Sequence, residues 1–145
     1  MKKATKKDHF PFPFIDQVLG GLAGKKFFSF LDGFSGYNQI QISPKYQDKI
    51  TSTFPWGTFF YRVLHFILCN ASSTFQREVL SIFSDLVHDS VEIYMDDFIS
   101  YGCDFLEALS NMGTVLRKCI ERNLSLSPEK CEFLMNVGTV LRHSI

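Results

Sequence analysis

Val91-Glu92-Ile93-Tyr94-Met95-Asp96-Asp97-Phe98-Ile99-Ser100-Tyr101 holds two strand-like runs, Val91 to Met95 and Phe98 to Tyr101, with only Asp96-Asp97 between them. Short apolar runs rich in β-branched and aromatic residues predict a hairpin, here closed by a two-residue turn. Such turns favour Asn-Gly or Asp-Gly, because the central residues take positive φ. Asp-Asp is a poorer choice and sets two like charges side by side. At about 4 Å two carboxylates repel by roughly 1 kcal/mol in water and about 4 kcal/mol at an effective dielectric near 20. A chain that accepts both penalties at one turn ordinarily has a cation there to offset them.

Working outward, Ser73-x-x-Gln76 reads as a capping box. Behind it Phe75, Val79, Ile82, Phe83 and Leu86 fall on one face of a helix expected to run to about Asp89. Lys26 to Asp32 is an aromatic-rich run ending in Asp-Gly, a buried strand that stops at Asp32. Between them the chain alternates from Tyr37 to Tyr61, punctuated by Pro44, Pro55 and Gly57, which predicts two or three short strands joined by turns. Phe14, Ile15, Val18, Leu19 and Leu22 predict a short helix ended by Gly20, Gly21 and Gly24. After the hairpin a second helix starts at Asp104, with Leu106, Leu109, Met112, Leu116 and Cys119 on its buried side, and ends near Asn123. Leu124 to Leu141 reads as irregular structure and one or two further strands.

The order strand, helix, hairpin, helix, strand is a split βαβ, α+β arrangement, βαββαβ-like, in one domain of 145 residues. In such a sheet the first strand lies beside the hairpin, so Asp32 stands next to Asp96 and Asp97. Three hard oxygen donors at one sheet edge suit one or two Mg²⁺ ions, and two such ions serve phosphoryl transfer. On spacing alone the pair reads equally well as a polar turn, with Asp32 as a cap.

Composition narrows the classes. Hydrophobic residues make up 46% and charged residues 21%, which excludes a disordered chain. Fifteen Lys and Arg balance fifteen Asp and Glu, so nucleic acid is not held by bulk charge. Apolar stretches fall well short of the roughly 18 residues a membrane span requires; Val63 to Cys69 is interrupted by His65. Lys2, Lys3, Lys6 and Lys7 are followed by Pro11, Pro13 and Asp16 rather than an apolar core. No signal peptide is predicted, and the expected location is intracellular, cytoplasmic or nuclear. Cys69, Cys103, Cys119 and Cys131 show no C-x-x-C spacing, which argues against zinc and a disulfide framework and for reduced, mostly buried thiols.

Tyr94-Met95-Asp96-Asp97, flanked by apolar runs, resembles the catalytic hairpin of reverse transcriptases. Phe30-Leu31-Asp32-Gly33-Phe34-Ser35-Gly36-Tyr37-Asn38-Gln39-Ile40 resembles the first carboxylate motif of gypsy-type long-terminal-repeat retrotransposon enzymes. Within Thr58 to Arg77, Leu68, Asn70, Ala71, Thr74, Phe75 and Gln76 match that family's M-P-F-G-L-x-N-A-P-x-x-F-Q word. Lys6 to Pro13 and Asn123 to Phe133 are also similar to it. The resemblance implies a polymerase palm with a partial fingers insertion. The implied activity is RNA-directed DNA polymerase, with deoxynucleoside triphosphates, an RNA or DNA template and a DNA primer as partners. It implies Asp32, Asp96 and Asp97 as catalytic and Mg²⁺-holding residues, with Mn²⁺ able to substitute and the Gly33 carbonyl as an extra ligand. Tyr37 is implied under the sugar, where a rigid ring excludes a 2′-hydroxyl; Phe66 and Met95 are implied along the nucleotide and primer end. Gln76 reads as a cap and Lys130 as a solvated lysine.

The sequence departs from the family at three places. His65-Phe66-Ile67 replaces Pro-Phe-Gly, Asn70-Ala71-Ser72 replaces Asn-Ala-Pro, and Leu141-Arg142-His143 replaces Leu-Gly-His. The resemblance also implies that upstream fingers strands and the downstream connection, ribonuclease H and integrase segments of a Pol polyprotein are absent from 1–145. Two other readings stand beside the polymerase: an inactive retroelement remnant, and an RNA-binding module of the same topology. The second expects a K/R-G-F/Y-G/A-F-V word, which the sequence lacks.

Overall fold

The computed structural model describes residues 6–11, 13–66 and 68–136, and the backbone of 139–140 and 143–144. Ile67, Leu141 and Arg142 lie outside the described residues. In chain order the elements are α1 (Ile15–Leu22), β1 (Phe27–Asp32), α2 (Pro44–Gln47), β2 (Thr51–Phe54), β3 (Gly57–Phe60) and α3 (Ala71–Ile82). They continue with β4 (Val91–Tyr94), β5 (Asp97–Gly102), α4 (Phe105–Glu121), β6 (Glu132–Met135) and the short pair β7 (Thr139–Val140) and β8 (His143–Ser144).

Four strands form an antiparallel sheet in the order β4-β5-β1-β6. This is the split arrangement expected, with β1 between the hairpin and the last strand. Side chains alternate across it. Leu31, Val91, Ile93 and Phe98 face one core with Phe75, Val79, Phe83, Val115 and Cys119, from α3, its C-cap and α4. Phe28, Ile99 and Tyr101 face the other, closed by Val18 and Leu22 of α1. Burial on both faces is why β4 and β5 read as nearly continuous apolar runs rather than as an alternation.

Several local expectations are corrected. Tyr94 pairs with Asp97, so the two-residue turn is Met95-Asp96, and Asp97 is the first residue of β5. The alternation after Tyr37 is not a strand: Gly36–Gln39 is a 3-10 turn, and Gln41 makes a single bridge to Val63. Gly36 packs so closely on α3 that a Cβ would come within 2.6 Å of the Phe75 ring. α1 runs through Gly20 and Gly21. α3 stops at Ile82, well short of Asp89.

The N-terminus of α3 has no capping box. Asn70 is the N-cap, and its side chain accepts from the Asp8 N–H at 3.1 Å and donates to the Lys6 carbonyl at 3.0 Å. Arg77 pairs with Asp8 at 2.6 Å, so the N-terminal arm is strapped along α3. On α4 the buried positions are Ala108, Val115 and Cys119, while Leu106 is 74% exposed and Leu109 is also exposed. The close contact of Gly102 with Ala108, where a Cβ would overlap the helix backbone, sets that rotation. Asp104, the N-cap of α4, accepts from the Glu107 N–H at 2.9 Å, and Glu107 reaches back to the Cys103 N–H, one residue before the cap, at 2.6 Å, so a reciprocal arrangement close to a capping box is here instead. All four cysteines are free; Cys119 is buried, which pushes its thiol up to about 11, whereas Cys69 and Cys103 are exposed.

Candidate active site

The antiparallel register sets Asp32, the last residue of β1, directly opposite Asp97, the first of β5. Residues opposed in this way share a face, with Cβ atoms roughly 4.5–5.5 Å apart. Asp96 precedes Asp97 in the turn, and its carbonyl accepts from the Gly33 N–H at 3.3 Å, tying the turn to the end of β1. Two strand ends and one turn therefore deliver three carboxylates to one sheet edge.

The chain after α4 closes the same edge. The Ser127 N–H donates to the Asp32 carbonyl at 2.8 Å, and Gly33 bridges to Leu126. Gln39 clamps this junction: its Nε2 donates to the carbonyls of Phe34 (2.6 Å) and Ser125 (3.0 Å), and its Oε1 accepts from the Ser125 N–H at 2.7 Å. The 3-10 turn Pro128–Lys130, just before β6, then brings the Lys130 ammonium to 3.5 Å from Asp32 Oδ1. Lys130 is thus paired to the carboxylates rather than simply solvated.

The electrostatics match the geometry. Burial raises the Asp96 carboxyl above its ordinary range, reinforced by the charges of Asp97 and Asp32 and opposed by Lys130. Asp97 is raised for the same reasons, burial first and then Asp32, again opposed by Lys130. Asp96 Oδ1 is buried with no hydrogen-bond partner among the described residues. A second cation would relieve this edge, and the donors it meets are hard carboxylate oxygens, the type Mg²⁺ and Mn²⁺ accept. Among the described residues no group of three or more His, Cys, Asp or Glu side chains converges closely enough to hold a metal ion by itself. Mg²⁺ does not need one, since it usually binds through one or two carboxylates plus waters and substrate phosphates.

Met95 is in the carboxylate turn itself, with φ of 55°. Tyr37 sits on the 3-10 turn rather than on a strand, its ring 5.0 Å from that of Phe75 and its hydroxyl 3.5 Å from Ser72 Oγ. Phe66 is 67% exposed, and its ring stacks on His65 at 4.9 Å rather than on the hairpin. Sequence reading missed Gln39, the pairing of Lys130 and the role of Gln76. Gln76 Oε1 accepts the Met95 N–H at 2.8 Å from within the core. The available signal was a polar residue in the apolar stripe of Phe75 and Val79.

Among the described residues no helix is long and apolar enough to cross a membrane. The family profile described as "Reverse transcriptase (RNA-dependent DNA polymerase)" matches residues 1–143. The chain is 38% identical over 143 residues to the retrovirus-related Pol polyprotein from transposon 412 of Drosophila melanogaster, covering 99% of this chain and 12% of that protein. It is 32% identical over 133 residues to the Pol polyprotein from transposon gypsy of the same organism, covering 92% and 13%. Its fold is similar to that of the foamy viral protease-reverse transcriptase dRH in complex with ds DNA, with TM-score 0.89 at 19% identity over 99% of this chain and 25% of that one. The foamy viral enzyme in complex with RNA/DNA hybrid matches with TM-score 0.88 at 19% identity, over 99% and 19%.

Proposed function

Because the chain belongs to the reverse transcriptase (RNA-dependent DNA polymerase) family and aligns with retrotransposon Pol polyproteins, we propose that 1–145 supplies the palm and part of the fingers of a template-directed DNA polymerase. It spans 12–13% of the two polyproteins compared; the complete activity, with RNA or DNA template, DNA primer and deoxynucleoside triphosphates, belongs to the longer protein in this reading. The observation that carries the proposal is the Asp32–Asp97 register with Asp96 at the adjoining turn. Local turn chemistry does not call for three carboxylates at one edge; a divalent cation does.

Asp32, Asp96 and Asp97 would hold Mg²⁺, or Mn²⁺ in its place. Bound there, the ions would supply the charge that eases deprotonation of a primer 3′-hydroxyl and offsets charge on the departing pyrophosphate. The chain's own residues set the geometry. The β1–β5 ladder fixes Asp32 against Asp97, and the Gly33 N–H fixes the turn that bears Asp96. Tyr37, backed by Phe75 and Ser72, presents a rigid ring suited to excluding a 2′-hydroxyl. Met95 and Phe66 would line the nucleotide and primer end.

The test is primer extension by the soluble chain on an RNA template, with a DNA primer, Mg²⁺ or Mn²⁺, and an Asp96→Asn control. Incorporation that falls about a hundredfold to a thousandfold in the control is the expected result, the scale on which removal of a charge-stabilising group acts. Mn²⁺ binding by the wild-type chain and not by Asp96→Asn reads the same site without turnover. A folded chain that neither extends nor binds Mn²⁺ would overturn the proposal.

A further inference from the structure

Gln76 is 0% exposed on the apolar face of α3, between Phe75 and Val79. Its Nε2 has no hydrogen-bond partner among the described residues. A Leu or Met at this position would avoid the desolvation cost of a half-satisfied amide. Helix capping does not explain the residue either, because Asn70 is the N-cap. What Gln76 does hold is the Met95 N–H, at 2.8 Å.

Met95 needs a partner. With φ of 55° it occupies the left-handed region that residues bearing a Cβ avoid. Its N–H also lies outside the Tyr94–Asp97 pairing that closes the hairpin, so no ladder bond is open to it, and even a half-buried N–H gains from an acceptor. The acceptor arrives from another element, 19 residues earlier in the chain.

We infer that Gln76 is a positioning residue: by holding Met95 in its left-handed turn it fixes Asp96 and Asp97 relative to Asp32. It acts through the main chain and touches neither carboxylate. The consequence for metal binding rests on the polymerase reading, whereas the consequence for the turn does not.

Three measurements on the full 145-residue chain test this. In the wild type, a through-hydrogen-bond scalar coupling between the Met95 nitrogen and the Gln76 side-chain carbonyl is expected, and its absence overturns the inference without any variant. In Gln76→Met, close in volume, the Met95 amide should exchange with solvent about tenfold faster. Mn²⁺ affinity should fall about tenfold, the scale on which partners of ligand residues act. Unchanged exchange overturns the inference. Glycine adopts positive φ freely, so in a Met95→Gly background the same Gln76→Met change should cost less than about twofold in Mn²⁺ affinity, because the turn no longer needs holding. An equal loss in both backgrounds would make Gln76 a packing residue only. If the wild type neither extends a primer nor binds Mn²⁺, the polymerase reading fails while the coupling and exchange measurements still decide the role of Gln76.

Discussion

The hairpins β2–β3 and β4–β5 each close on a two-residue turn and have opposite fates. In β2–β3 Phe54 pairs with Gly57, leaving Pro55-Trp56 as the turn; in β4–β5 Tyr94 pairs with Asp97, leaving Met95-Asp96. The first carries residues common in β-turns generally, Pro at the second position and Gly at the fourth, although not the Asn-Gly type that two-residue hairpins favour. Its strands stand in a two-stranded sheet, and Phe54, Phe59 and Phe60 are exposed with Trp56 at 78%. The second breaks that chemistry, placing Met at positive φ and a carboxylate beside it. It survives because β1 pairs along it, cores cover both its faces and Gln76 satisfies its apex. A turn that suits its own sequence needs nothing from the fold. The turn that carries the candidate chemistry depends on the fold for everything local sequence withholds.

The largest expected effect breaks that dependence directly. Phe98 is fully buried against Phe83, with ring centroids 5.6 Å apart, whereas Phe59 is exposed on β3. Phe98→Ala should lose about 3–5 kcal/mol of stability. Phe59→Ala should stay within about 0.5 kcal/mol. Urea unfolding followed by far-ultraviolet circular dichroism compares them, and equal losses would mean that the two hairpins are not held differently.

A smaller effect, of opposite sign, concerns charge. Because Asp96 and Asp97 are raised in the fold, the native state binds more protons than the unfolded state as pH rises from the ordinary carboxylate range. Stability therefore falls through that window and stays lowered above it. Asp96→Asn removes one charge and part of the pressure on its neighbour. It should raise the melting temperature at pH 7 by about 3 °C, the shift that roughly 1 kcal/mol gives a domain of this size. The gain should fade as pH falls through the raised range of these carboxyls and be gone by about 4, the ordinary carboxylate value. Added Mg²⁺ should narrow the difference by stabilising only the wild type. A neutral-pH loss of stability in Asp96→Asn would show that the turn is not under electrostatic load.

Much of this was legible in the sequence for a physical reason. β1 and the hairpin are apolar runs and α4 a long stretch of helical period, features set by composition and spacing, and the juxtaposition of Asp32 with Asp96 and Asp97 was legible because the hairpin topology places a third strand beside the other two. What was misread depends on contacts between distant segments. Tyr37 to Ile42 has the period of a strand, yet Gly36 docks on Phe75 and turns the chain into a 3-10 turn. Leu106 and Leu109 have helical spacing, yet the Gly102–Ala108 contact rotates α4 and leaves them exposed. Gln76 fits a local cap at i+3 from Ser73, and only the packed fold shows that it spans to Met95.

At the rim of the carboxylate site the expected effect is smaller still. Lys130 is exposed (66% of its side chain) and 3.5 Å from Asp32 Oδ1, and its charge works against the raising of Asp96 and Asp97. Its ammonium therefore competes with any metal for the same carboxylates. Exposed pairs of this kind are worth about 0.2–1 kcal/mol, so Lys130→Met should tighten Mn²⁺ binding only about twofold at neutral pH. At lower pH the gain should shrink, because without Lys130 both carboxyls rise further and protons compete more strongly. It should also fade with salt, since screening over about 10 Å operates at 0.1 M. Lys49→Met, whose ammonium lies over Tyr46 beside the exposed hairpin, should leave Mn²⁺ affinity unchanged. A titration in which both lysine variants shift affinity alike would mean that net charge, not the pairing at Asp32, governs the site. Weaker binding in Lys130→Met alone would mean that the lysine orders the carboxylates more than it opposes a cation.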